Sequence, residues 1–137
     1  MKFTTKKSQI LLALQEASKV VPLRTTLPIL SSALFYKNEE NVLCIRSTDL
    51  EQTIIVETTI NLIETGEAAL PTNKMIEILS ALPEEEITIS IKKDLETEIN
   101  SSTGVYKIVG KNPEEYPETP KTKKEAEIEL PNKTLLN

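Results

Sequence analysis

Asp49 and Glu51 are the two side chains whose types and spacing come nearest to chemistry in this chain. Lying two residues apart, they could share one face of a strand and hold a magnesium ion between carboxylates. The competing use is structural: Asp49, following Thr48, can satisfy backbone N–H groups in a turn. Other chemistries lack their parts. There is no histidine, so the commonest general base and the commonest metal ligand are both missing. The single cysteine, Cys44, cannot build a four-ligand zinc site, and its apolar strand setting reads as a reduced core thiol. Gly66, Gly104 and Gly110 are the only glycines, and none belongs to a phosphate-cradling loop. Ser101, Ser102 and Thr103 have no partner base. The residues therefore predict no catalytic site and no cofactor, and they point to a binding or scaffolding role.

The elements that would position such residues repeat. Phe3–Leu11, Ala69–Ile76 and Glu129–Leu136 each run from an extended start, through a polar turn containing lysine, into an apolar-periodic helix. A repeated unit implies a fold built from copies. Residues 1–5 read as a strand. Ser8 to about Lys19 reads as a helix, with Ile10, Leu11, Leu14 and Ala17 on one stripe and either Ser8 as its N-cap or Lys7 starting the turn. Pro22 and Pro28 bracket a loop. Strands come next at Ser32–Tyr36, Val42–Ser47, Thr53–Thr59 and Glu67–Leu70. The first two are joined by a polar hairpin turn. A second helix runs from Thr72 to Leu82, with Met75, Ile76, Leu79 and Leu82 inward and Pro83 as its stop. Ile87, Ile89 and Ile91 alternate with Thr88 and Ser90 as a half-buried strand. Glu96–Ser101 and Val105–Val109 complete a meander. The order is β-α-β-β-β twice, over about 1–60 and 66–110. That predicts an α+β fold of duplicated halves around a pseudo-twofold, with two helices on one face of an antiparallel sheet. From Lys111 the prolines and charges read as an extended linker. Lys121–Glu125 is a charge run, and Ala126–Leu130 reads as a strand opening a further unit.

Composition bounds the rest. A chain of 137 residues can bury about two thirds of its unfolded surface. With 27% charged residues and a net charge of −5, it is mildly acidic, which argues against tight, salt-driven wrapping on DNA or a membrane. No apolar run reaches the roughly 18 residues of a membrane span. A lone cysteine and no signal peptide fit the cytoplasm.

Met1-Lys2-Phe3-Thr4, Leu27-Pro28-Ile29-Leu30, Thr48-Asp49-Leu50-Glu51, Leu70-Pro71, Lys74, Leu82-Pro83 and Tyr116-Pro117 occur in an order and spacing that resembles the bacterial DNA polymerase III beta sliding-clamp family. The resemblance covers about residues 1–120, as the family's first domain. Residues 121–137 then read as a linker and the truncated start of a second clamp domain. The resemblance implies a ring: two three-domain subunits joined head to tail around duplex DNA, sheets outside and helices lining the hole. Such a ring is a replication processivity factor that tethers the polymerase without chemistry of its own. Arg24 matches the family's DNA-contacting arginine in the loop after the first helix. Asn73 stands where relatives often carry arginine, Lys74 is retained beside it, and Lys7 and Lys19 are inferred from helix position. Leu12 replaces a basic residue of some relatives. Val105–Val109 resembles the edge strand that meets the other subunit, with Tyr106, Ile108, Lys107 and Lys74 as contacts. Glu96, Thr103 and Val105 stand where relatives carry arginines. Polymerase and clamp loader would bind through domains not represented in this chain. The alternative is a free-standing interaction module that caps a clamp's edge strand. A magnesium-dependent enzyme built on Asp49 is the remote third reading.

Overall fold

In the computed structural model, which describes residues 1–118, each half begins with a short strand that runs directly into a helix. The first half holds β1 (Lys2–Lys6), α1 (Lys7–Ala17), β2 (Ser32–Lys37), β3 (Leu43–Thr48), β4 (Thr53–Thr58) and β5 (Asn61–Glu64). The second holds β6 (Ala68–Pro71), α2 (Thr72–Ser80), β7 (Glu86–Ile91), β8 (Glu96–Ser101) and β9 (Gly104–Val109). Short 3-10 turns occupy Ser18–Val20, Pro28–Ser31 and Pro113–Glu115.

The expected α+β fold of two related halves is present, and its strands form two antiparallel sheets. Their orders are β5-β1-β7-β8-β9 and β4-β3-β2-β6. The halves exchange leading strands. β1 lies against β7 of the other half (Phe3 opposite Ile89), and β6 lies against β2 (Leu70 opposite Ala33). The pseudo-twofold thus relates two sheets, each made of three strands from one half and the opening strand of the other. β5, which was not expected, adds a further strand beside β1.

Alternation along the strands places Phe3, Ile89 and Ile99 of one sheet and Phe35, Ile45 and Leu70 of the other in a single core with Ile10, Leu14, Met75 and Leu79 of the helices, all fully buried. α1 packs on β3 and β4, and α2 packs on β2 and β6. The helices also pack on each other, so both lie on one side of the four-stranded sheet.

Ser8 is not the N-cap. Lys6 holds that position without a side-chain bond, and Ser8 sits in the first turn. Its N–H and hydroxyl donate to the Glu84 carboxylate (3.1 and 2.8 Å), and the Lys7 N–H donates to the Glu85 carbonyl (2.9 Å). A carboxylate and a carbonyl from the other half therefore satisfy two of the free donors of this helix end, and the carboxylate complements its partial positive charge. The regular α-helix ends at Ala17, and Ser18–Val20 tighten into a 3-10 turn.

The linker expected from Lys111 is instead docked as far as Pro117. Lys111 exchanges two backbone hydrogen bonds with Ala69 (2.8 and 3.1 Å) and extends the four-stranded sheet beyond β6. Gly110 permits this seam, because a Cβ there would lie 2.9 Å from the Leu70 side chain and 3.1 Å from the Ala69 carbonyl oxygen. Tyr116 is buried with Leu34 and Ala69 in a small second core. Arg46 donates to the Pro117 carbonyl (2.6 Å) and lies 5.5 Å from the Tyr116 ring centre. The charge run, the strand expected at 126–130 and the third copy of the repeated phrase lie outside the described residues, as does all of the expected second unit, 121–137.

Candidate functional site

The buried stripes of α1 and α2 fix what the other face presents. Gln9, Leu12, Gln15 and Glu16 are exposed on α1, and Asn73, Lys74, Glu77 and Ser80 are exposed on α2. Lys19, just past α1, pairs with Glu16 (3.0 Å), and Lys74 pairs with Glu77 (3.7 Å). Lys7 is half-buried at the start of α1. Arg24 belongs to neither helix. It is exposed on the loop between Pro22 and Pro28, beside the wholly exposed Leu23, and the loop is braced where Thr25 Oγ1 accepts the Leu27 N–H (2.9 Å). Asn73, Lys74 and Lys19 thus lie on one helical layer, with Lys7 at its edge and Arg24 on an adjoining loop. Glu16 and Glu77 were not singled out from sequence, although their i,i+3 spacing to lysine was there to be read.

β9 is an edge of the five-stranded sheet. Tyr106 and Ile108 stand opposite Ile99 and Thr97, both fully buried, and pack against the chain's own core. They are half-buried rather than open. Val105, Lys107 and Val109 take the other face, where Val105 is 54% and Val109 71% exposed. Lys107 lies 4.0 Å from Glu98, which also pairs with Lys92 at 3.1 Å. The bond and charge of Glu98, with Glu96 behind it, raise the Lys92 ammonium above its ordinary value.

Asp49 serves its turn. Its Oδ1 accepts the N–H groups of Gln52 (2.7 Å) and Glu51 (2.9 Å), and these bonds, that from Gln52 first, hold its carboxyl below the usual range. Thr48 Oγ1 accepts the Leu50 N–H (3.0 Å), supporting Leu50 at φ +80°. Among the described residues, no cluster of three or more His, Cys, Asp or Glu side chains could hold a metal ion. Cys44 is buried within β3. Among the same residues, no helix is long and apolar enough to cross a membrane.

Residues 1–120 match the family described as DNA polymerase III beta subunit, N-terminal domain. The chain is 28% identical over 144 residues to the beta sliding clamp of Staphylococcus aureus, an alignment that takes in all of this chain and 38% of that protein. The solved DNA polymerase III subunit beta of Pseudomonas aeruginosa superposes with a TM-score of 0.81 at 25% identity, over 88% of this chain and 33% of that one. A solved chain from Eubacterium rectale, described as a DNA polymerase III beta subunit, gives a TM-score of 0.83 at 28% identity with the same coverage. The chain therefore spans well under half the length of the relatives it matches.

Proposed function

Since the chain belongs to the DNA polymerase III beta-subunit family, by a match over residues 1–120, we propose that it supplies the first arc of a closed ring, threaded by duplex DNA, that keeps a replicative polymerase on its template. One observation carries this reading: α1 and α2 lie together on one side of the four-stranded sheet, so that one layer of helices can face a hole while sheets form the wall.

The ring works by topology, and its residues hold and space rather than react. The helical layer and the Arg24 loop meet phosphates, with Lys7, Lys19, Asn73 and Lys74 as further contacts. Phosphate contact positions a protein without reading sequence, which suits a body that slides. At the other end of the arc, β9 offers unpaired backbone donors and acceptors to a strand of a second subunit. Tyr106 and Ile108 flank that seam from the core side, and Lys107 flanks it from the outer side. The polymerase and the protein that loads the ring bind elsewhere in the assembled subunit.

A chimera tests this reading. Residues 1–137 are joined to the part of the S. aureus clamp beyond the aligned region, and retention is compared on nicked circular plasmid and on the same plasmid linearised. A threaded ring stays on the circle and runs off the linear form. Equal retention on both, or none on either from a chimera that light scattering shows to be dimeric, would overturn the proposal.

A further inference from the structure

We infer that Glu16 and Glu77 are counter-charges built into the helical layer, which engage Lys19 and Lys74 within the chain and so keep that face from gripping a polyanion. The inference rests on the reading that this face looks onto DNA, and it goes beyond it by assigning a role to two acidic residues. The exposed charges of the layer are two lysines and two glutamates, each lysine within 4 Å of a glutamate three residues away. Exposed pairs of this kind add little to fold stability. Their consequence falls on binding instead. A lysine that moves to a phosphate must leave its glutamate, and the glutamate then remains close to the same phosphates. Each phosphate neutralised adds about 0.9 to the slope of affinity against salt. Pairing therefore removes up to two such contacts from the layer. Arg24 has no ion-pair partner among the described residues and stays available. Glu84, the nearest acidic neighbour of the α1 start, is engaged by Ser8. Affinity would thus fall to the loop arginine, with half-buried Lys7 at the layer's edge, while the rest of the helical layer passes over phosphates lightly.

The test uses the chain in isosteric variants, with a short fluorescein-labelled duplex monitored by anisotropy across a salt series. Glu16→Gln with Glu77→Gln should tighten binding by roughly three- to tenfold at low salt and steepen the salt slope by about one to two. Adding Lys19→Gln and Lys74→Gln should cancel the gain. Glu39→Gln with Glu40→Gln, at the exposed β2–β3 turn, changes net charge equally and should tighten binding by less than about twofold. Equal tightening by both double variants would reduce the effect to bulk charge and overturn the inference. No tightening by the helical pair, with Arg24→Ala still weakening the parent, would overturn it and leave the DNA-facing reading in place. No tightening together with indifference to Arg24→Ala would remove both.

Discussion

The two halves trace the same path and differ most in the connection that leaves the helix. After α2 the chain reaches β7 through the short stretch Ala81–Glu85, whereas after α1 it takes Ser18–Ser31 to reach β2. The short connection turns inward, where Glu84 and Glu85 hold the start of α1. The long one extends outward and carries Leu23 and Arg24 on its exposed surface. The closing strands differ in the opposite sense. β4 leads into β5, which pairs along β1, while β9 leads only to the single bridge at Lys111. β4 is half-buried almost throughout, and β9 alternates half-buried Tyr106 and Ile108 with exposed Val105 and Val109. Each half reaches outward at one point and gives support at another, which is how a duplicated scaffold acquires distinct surfaces without losing its shared core.

The largest expected effect comes from parting the halves. Residues 1–65 and 66–118 made separately should each lack the amide dispersion of a folded protein in NMR spectra, since β1 needs β7 and β6 needs β2. A half that folds alone would break the pseudo-twofold account. Next comes Phe3→Ala, which removes a fully buried ring from the exchanged strand and should cost about 3–5 kcal/mol in urea unfolding.

The docked segment then sharpens the contrast between the outer faces of the two sheets. Burial pushes the Tyr116 hydroxyl up to about 12, against the opposing pull of the Thr48 backbone and the Arg46 guanidinium. Tyr116 holds its proton more tightly folded than unfolded. The stabilisation is therefore complete below pH 10 and is lost as pH rises through about 12. The loss should be about 1–2 kcal/mol once solvent screening is allowed for, and Tyr116→Phe should abolish it in alkaline denaturant titrations. The smallest effect is that of Glu84→Ala, about 1 kcal/mol, with amide exchange rising at the start of α1 and unchanged in α2.

Periodicity made most of this fold legible. Ile87, Ile89 and Ile91 declared their strand, and Met75, Ile76 and Leu79 their helix face. What it could not disclose was partnership. A strand's alternation says which face is buried and not which strand lies beside it, so the exchange of β1 and β6 was hidden. β5 escaped because Asn61–Glu64 is short and mostly exposed. Ser8 looked like a cap because its true partner is distant in sequence. The stretch after Lys111 looked like a linker because prolines and charges dominate it, yet its one aromatic residue, Tyr116, was the signal of docking. At the candidate site, Arg24 was marked out by family resemblance alone, the prolines around it showing only that it sits on a loop. The pairing of Lys19 and Lys74 needed coordinates, because spacing permits an ion pair without forming one.

The exchanged leading strands also bear on how the protein is made. β1 leaves the ribosome well before its partner Glu86–Ile91. Until then one side of β1 offers bare backbone to whatever is near, a hazard for a nascent chain. Translation pauses placed before Glu86 should therefore demand more chaperone protection than pauses placed after Val109.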